Sequence, residues 1–410
     1  MVAILTDNIT KRLFMKYRKM LSVGLTAGLL LGAGASHALA GPVINLPNDM
    51  GWLRINYEMQ LYGQWRDTGS GADRTDDTTD IYFRRNRLSL TGMHEDRFGF
   101  YAAMEHTGNR QIFPLDVLES STSSDFDILD AYFIANFNEA ANLRAGLLKD
   151  PLVRAHNTGC FFPLALDRSD FVYTSIPRRS RDYGVLLWGN LLEQRFQYKL
   201  AATTGIKDNA PGNDLRYTAR AHYSFWDPEG LPLYFGTYFG NKKVLTVGAG
   251  YQVEKDAVYG NLNLQAIPND YSAWTVDIFG ELPTGLGTFT MEAAYLDSSF
   301  DDNYQGGDPS SASIGIDGEK NGYYGQGGYL LPGKVGPGQL QFYGRYENWN
   351  FANIQGIVDQ EIDRLSIGAN YYLRGNNLRL TMEWADTDFS TENITIKDFS
   401  TITAMLQFLF

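Results

Sequence analysis

Positive side chains gather in two places along an acidic chain, and their chemistry is the attraction of anions. From Pro151 to Arg181 the sequence carries Arg154, Arg168, Arg178, Arg179 and Arg181 against Asp167 and Asp170, a local charge of +3, with Lys149 just ahead. Arg85 and Arg87 share one face of the stretch 79–92 with Ser89 and Thr91, while Leu88 and Leu90 take the other. Cationic groups lining a narrow aqueous passage lower the barrier for anions and raise it for cations. A second reading stays open, in which these arginines pair with acids on an opposite wall. No catalytic constellation is present: Ser, His and Asp occur, but there is no nucleophile elbow, and His156 beside Asn157 reads as a polar loop residue. The single Cys160 cannot form an internal disulfide, and the five His fall in no metal-ligand pattern. Neither enzyme activity nor a metal or cofactor is expected.

The N-terminal residues say where such a passage would be. Lys16, Arg18 and Lys19 precede an apolar stretch through Leu31, and Ala38-Leu39-Ala40 has the small-x-small form of a cleavage site. The pattern predicts a secretory signal peptide over 1–40, with Met15 as an alternative start, and a mature chain of 41–410. Removing five Lys/Arg and one acid from totals of 35 and 47 leaves 30 against 46, a charge near −16. That balance argues against nucleic acid as a partner. No linker or change of composition divides the mature chain. It holds no apolar run of about 18 residues, so a membrane location requires a closed barrel, the other structure that satisfies its own backbone hydrogen bonds in lipid.

Alternating segments supply that barrel. Strands are expected at 52–66, 79–92, 97–107, 127–138, 142–149, 181–189, 194–204, 214–226, 243–253, 272–282, 287–298, 322–331, 338–349, 360–374, 376–388 and 399–410. These 16 become 18 if 231–240 and 257–267 are also strands. Short turns at 94–96, 138–141, 190–193, 283–285 and 374–376 alternate with long loops at 67–78, 108–126, 150–180, 299–321 and 389–398, the pattern of a transmembrane antiparallel β-barrel of the Gram-negative outer membrane. Tyr57, Tyr62, Tyr82, Phe98, Tyr101, Tyr371 and Tyr372 are candidate girdle aromatics. The closing segment puts Ile402, Ala404, Leu406, Phe408 and Phe410 on one apolar face toward lipid, with Phe410 as a terminal anchor and assembly signal. Segment 150–180 is too apolar for a free loop and too broken by Pro and Gly for a strand. Folded inward as a constriction loop it would bury Phe161, Phe162, Leu164 and Leu166; the alternative is a cover over the barrel mouth.

Three stretches carry a family resemblance: FRRNRLSLTG (83–92), DAYFIANFNEAANLRAGLLKDPL (130–152) and RRSRDYGVLLWG (178–189). The sequence resembles the phosphate-selective porin O/P family. The resemblance implies a 16-stranded barrel, a homotrimer in outer-membrane lipid, and conduction of small anionic solutes past basic residues of an inward loop. Only Arg84, Arg85, Arg87, Lys149, Arg178, Arg179 and Arg181 match motif positions. The basic residues are fewer than in the phosphate-specific members, which puts phosphate itself in doubt. A function of another class is a barrel sheath around a multihaem cytochrome in an electron conduit, which an inward loop would leave too narrow.

Overall fold

Period-two burial runs along nearly every strand, and it builds a closed wall. The computed structural model describes residues 41–106, 126–169, 171–172, 181–207, 210–261, 264–301, 319–354, 357–393 and 396–410. A short strand β1 (Val43–Asn45) pairs with β2 (Trp52–Ser70). There follow β3 (Asp76–His94), β4 (Phe98–His106), β5 (Phe126–Asn138), β6 (Ala141–Lys149), β7 (Arg181–Leu191), β8 (Phe196–Thr203), β9 (Arg216–Ser224) and β10 (Val244–Asn261). The chain continues through β11 (Ala266–Thr284), β12 (Gly287–Ser299), β13 (Lys320–Leu330), β14 (Gln339–Ile354), β15 (Ile357–Tyr372), β16 (Leu378–Phe389) and β17 (Phe399–Leu409). Strands β2 to β17 pair antiparallel with their chain neighbours, and β17 returns to β2, from Thr401 opposite Arg66 to Leu409 opposite Glu58. The result is a closed 16-stranded barrel, which has no open edge.

All 16 expected strands are present, and the 18-strand alternative is not. Residues 257–261 and 266–267 belong to a longer β10–β11 hairpin. Segment 231–240 forms no strand, because Pro232 lacks a ladder donor and Gly236 has no side chain to pack. Two connection lengths also differ from expectation. The loop placed at 67–78 shrinks to 71–75 as β2 and β3 lengthen, and the link between β9 and β10, at the end of the barrel that carries the short turns, runs from 225 to 243.

The closing strand shows how the faces divide. Ile402, Phe408 and Phe410 are exposed, while Thr401, Thr403 and Gln407 are buried inside. Phe410 stays in the ladder: its N–H donates to the Tyr57 carbonyl at 2.8 Å and its carbonyl accepts from the Tyr57 N–H at 2.6 Å. Elsewhere the exposed face is apolar, as at Phe100, Phe133, Leu200, Val247, Val276 and Ile367, which suits a wall surrounded by hydrocarbon. Tyr57 and Phe98 are exposed as girdle residues should be. Tyr62, Tyr82 and Tyr372 are not: they are buried within the barrel. The apolar core also lies inside, where Leu152, Val153 and Phe171 pack against Trp349, Phe351 and Phe389 of the wall.

Candidate functional site

The segment 150–169 lies against inward side chains from β3 across to β14, five strands apart round the closed wall. On one side Arg84 Nε and Arg85 Nη2 donate to the Asp167 carboxylate at 2.8 and 2.9 Å. On the other, Arg379 Nη1 donates to the Pro163 carbonyl at 3.0 Å, Asn370 Nδ2 to the Leu164 carbonyl at 2.8 Å, and Arg345 Nη1 to the Asp167 carbonyl at 2.8 Å. Gln407 Nε2 donates to the Phe161 carbonyl at 3.1 Å, and Ser169 bonds to Glu347. The inward side chains thereby satisfy backbone carbonyls that no strand ladder serves. Phe161, Leu164 and Leu166 are buried. A single α-helical turn, Arg154–Asn157, starts the segment, and Pro163 and Gly159 keep the rest out of regular structure.

Strict alternation would turn Arg84 toward the outside, at a cost of roughly 2–4 kcal/mol if that face meets lipid. A β-bulge removes the conflict. Gln60 pairs with Arg85 and Leu61 with Phe83, so Arg84 is the extra residue and joins Arg85 inside. Sequence alternation gives no sign of this shift.

Six of the expected basic residues lie among the described residues. Arg87 Nη2 donates to Glu105 at 2.6 Å and Nη1 reaches Glu58 at 3.5 Å. Arg181 Nε approaches Asp130 at 3.4 Å. Arg154 makes a bidentate pair with Glu229, at 2.9 and 2.8 Å. Lys149 Nζ lies 3.2 Å from the His156 carbonyl and 3.7 Å from Cys160 Sγ, and Arg168 Nη1 donates to the same carbonyl at 3.0 Å. Arg178 and Arg179 lie outside the described residues. Arg85, Arg87, Lys149, Arg168 and Arg181 act on Cys160 or His156 and Arg154 pairs with Glu229, but most of the six are partners of acids. Among the described residues the buried charges number twelve basic and twelve acidic, so any bias must be local.

It is local at Cys160. Burial pushes its thiol up, but Arg168, Lys149, Arg87 and Arg85 outweigh that and hold it well below the ordinary range. Burial also raises the Asp167 carboxyl, and the charges of Arg84 and Arg85 bring it well below the usual carboxylate range. His156 is held low, first by burial and then by Arg168 and Lys149, and stays neutral.

Unforeseen from the sequence is the partner of this loop, the connection 225–243. Tyr234 N–H donates to the Asn157 carbonyl at 3.1 Å, its carbonyl accepts from Gly159 at 3.2 Å, and Gly236 N–H donates to the Phe162 carbonyl at 2.8 Å. Burial raises the Glu229 carboxyl, yet Arg154 and the Tyr238 hydroxyl hold it at about 2. A small cleft of about 10 Å³, room for about one water molecule, lies beside this seam, bordered by Thr158, Pro163, Asp167, Arg168, Gly236 and Arg345 among others. The clustering of Pro228, Gly230, Pro232, Gly236 and Gly240 is the signal that could have marked 225–243 as a non-strand element.

A closed 16-stranded barrel with an apolar outside and a charged interior crossed by a loop is the architecture of a porin. The chain belongs to the phosphate-selective porin O and P family, whose model matches residues 58–410. An uncharacterized protein of Aquifex aeolicus is 24% identical over 325 residues, covering 73% of this chain and 74% of its own. OmpF of Salmonella typhi, in complex with daunomycin, superposes with a TM-score of 0.59 at 12% identity over 90% of this chain and 100% of its own. An anion-selective porin of Comamonas acidovorans reaches 0.52 at 10% identity over 87% and 99%. At these identities the structures share the fold.

Proposed function

We propose that this protein is an outer-membrane porin, exported by a signal peptide over 1–40 and assembled as a homotrimer, through which small solutes diffuse with a preference for anions. The observation that carries the preference is the convergence of Arg85, Arg87, Lys149 and Arg168 on Cys160, whose thiolate offsets only part of their charge, with Lys149 within reach of a carbonyl and that sulfur. Charges at a narrow, partly desolvated place act on a passing ion more strongly than the many acids exposed to bulk water. Local sign then outweighs a net charge of −12 for the whole chain. Phosphate is one oxyanion of the class and is not singled out by these residues.

The cytochrome sheath is disfavoured by the same contacts. Asn157 is bonded to Lys199 of β8 and Pro163 to Arg379 of β16, eight strands apart round the wall, so the loop bridges opposite sides of the barrel where a sheathed protein would have to sit. Swelling of proteoliposomes in isosmotic solutes tests the reading: small organic anions should enter faster than cations of matched size. Equal rates would remove the anion preference, and no swelling with any solute would remove the porin.

A further inference from the structure

The connection between β9 and β10 is longer than its joining task requires. Asp227 and Lys243 are already paired across it, with Asp227 N–H donating to the Lys243 carbonyl at 2.9 Å and Lys243 N–H to Asp227 Oδ2 at 2.8 Å. A two-residue turn could close the hairpin there. Instead residues 228–242 leave the rim and enter the barrel from the end opposite the long loops.

Once inside they are firmly held. Glu281 of β11 accepts hydrogen bonds from the Thr237 hydroxyl and from the Tyr238 and Gly240 N–H groups, each at 2.8 to 2.9 Å. Phe239 packs on Tyr372 of β15, with ring centroids 4.8 Å apart, so the excursion spans the interior from β9 to β15. Lys199 Nζ donates to the Pro232 carbonyl at 2.9 Å and to Asn157 Oδ1 at 3.1 Å, tying excursion and loop to one wall residue. At the seam, a Cβ on Gly236 would stand 2.2 Å from the Leu164 backbone N, so only glycine permits this approach. The Arg154–Glu229 pair fastens the two segments with both side chains shut off from solvent.

We propose that residues 228–242 are a second restriction element, which sets the size limit of the passage jointly with the long loop from the opposite end of the barrel. The inference rests on the porin reading. Gly236 and the loop residues Thr158, Pro163 and Asp167 border the cleft beside the seam, so removing the excursion removes one of its banks. Pore diameter at the narrowest point governs which solutes pass.

The test replaces residues 228–242 with Asn-Gly and compares single-channel conductance and exclusion of graded polyethylene glycols with wild type. Heat-modifiable migration in SDS identifies folded barrels, and Glu229→Gln is a milder variant that keeps the chain intact. Conductance should rise about twofold or more in the shortened protein, which should also admit polymers that wild type excludes. Glu229→Gln should shift both in the same direction by less. A wild-type channel matched by the shortened one in conductance and exclusion overturns the inference and leaves the porin standing. Silence of both folded proteins overturns both. A silent wild type with a conducting shortened form supports the restriction and overturns a pore open at rest.

Discussion

Arg85 of β3 and Asp167 of the long loop are joined Nη2 to Oδ1 at 2.9 Å, and Arg84 holds the other oxygen of the same carboxylate at 2.8 Å. One acid thus answers two arginines, leaving the pair of strand cations undercompensated at this contact. Asp167→Asn should increase the anion-to-cation permeability ratio, since it uncovers positive charge without changing the shape of the loop. It should also lower stability by roughly 3 kcal/mol, because a buried ion pair loses one partner. Reversal potentials and the SDS heating midpoint read the two effects. A ratio that falls or stays constant would place Asp167 away from the ion path.

Cys160 offers a second handle. Its thiol is held low by four cations and is buried at 4% exposure. A thiolate there cancels part of the local positive field, so Cys160→Ser should strengthen anion preference. In the folded barrel the thiol should resist a bulky maleimide and react after heating in SDS. Rapid labelling of the native protein would contradict the burial on which both expectations depend.

The strand pattern was legible because a barrel wall imposes one rule, apolar outward and polar inward, on every residue of a strand. Arg85, Arg87 and Ser89 were assigned inward and Leu88 outward on that rule, and all four faces agree with burial. Where the rule fails the sequence misleads. Arg84 turns inward through a bulge set by register with β2, and Tyr62, Tyr82 and Tyr372 point into a space that two segments fill. The excursion 228–242 was hidden for the same reason: Tyr234 and Phe235 have the composition of a strand, and their burial draws on residues far earlier in the chain, Arg154 over the Tyr234 ring and Phe162 against Phe235.

Acid should weaken the seam in a defined window. The Glu229 carboxyl sits at about 2 in the folded chain against an ordinary 4.5. A carboxylate held low contributes stability in full above about 4.5 and loses it as pH falls toward about 2. The difference in SDS heating midpoint between wild type and Glu229→Gln should therefore be constant at neutral pH and shrink across that interval. A difference that grows on acidification would mean that the carboxyl is protonated in the native barrel.

Phe410 is exposed on the outer face while its backbone is bonded both ways to Tyr57. Its deletion, or its replacement by Asp, should reduce the heat-modifiable barrel recovered from outer membranes, because the closing strand loses its two bonds to Tyr57 or its apolar outward side chain. Phe410→Tyr should retain it. Wild-type recovery of the deletion would assign closure to the remaining β17–β2 pairs.

The reversal potential of single channels across a potassium chloride gradient reads the sign of the field at the narrowest point. The account predicts chloride preference for wild type and a weaker preference for the Lys149→Gln, Arg168→Gln double variant, with folding confirmed by heat-modifiable migration. Potassium preference in the wild-type channel, or an unchanged ratio in the double variant, would contradict the assignment of these cations to the path.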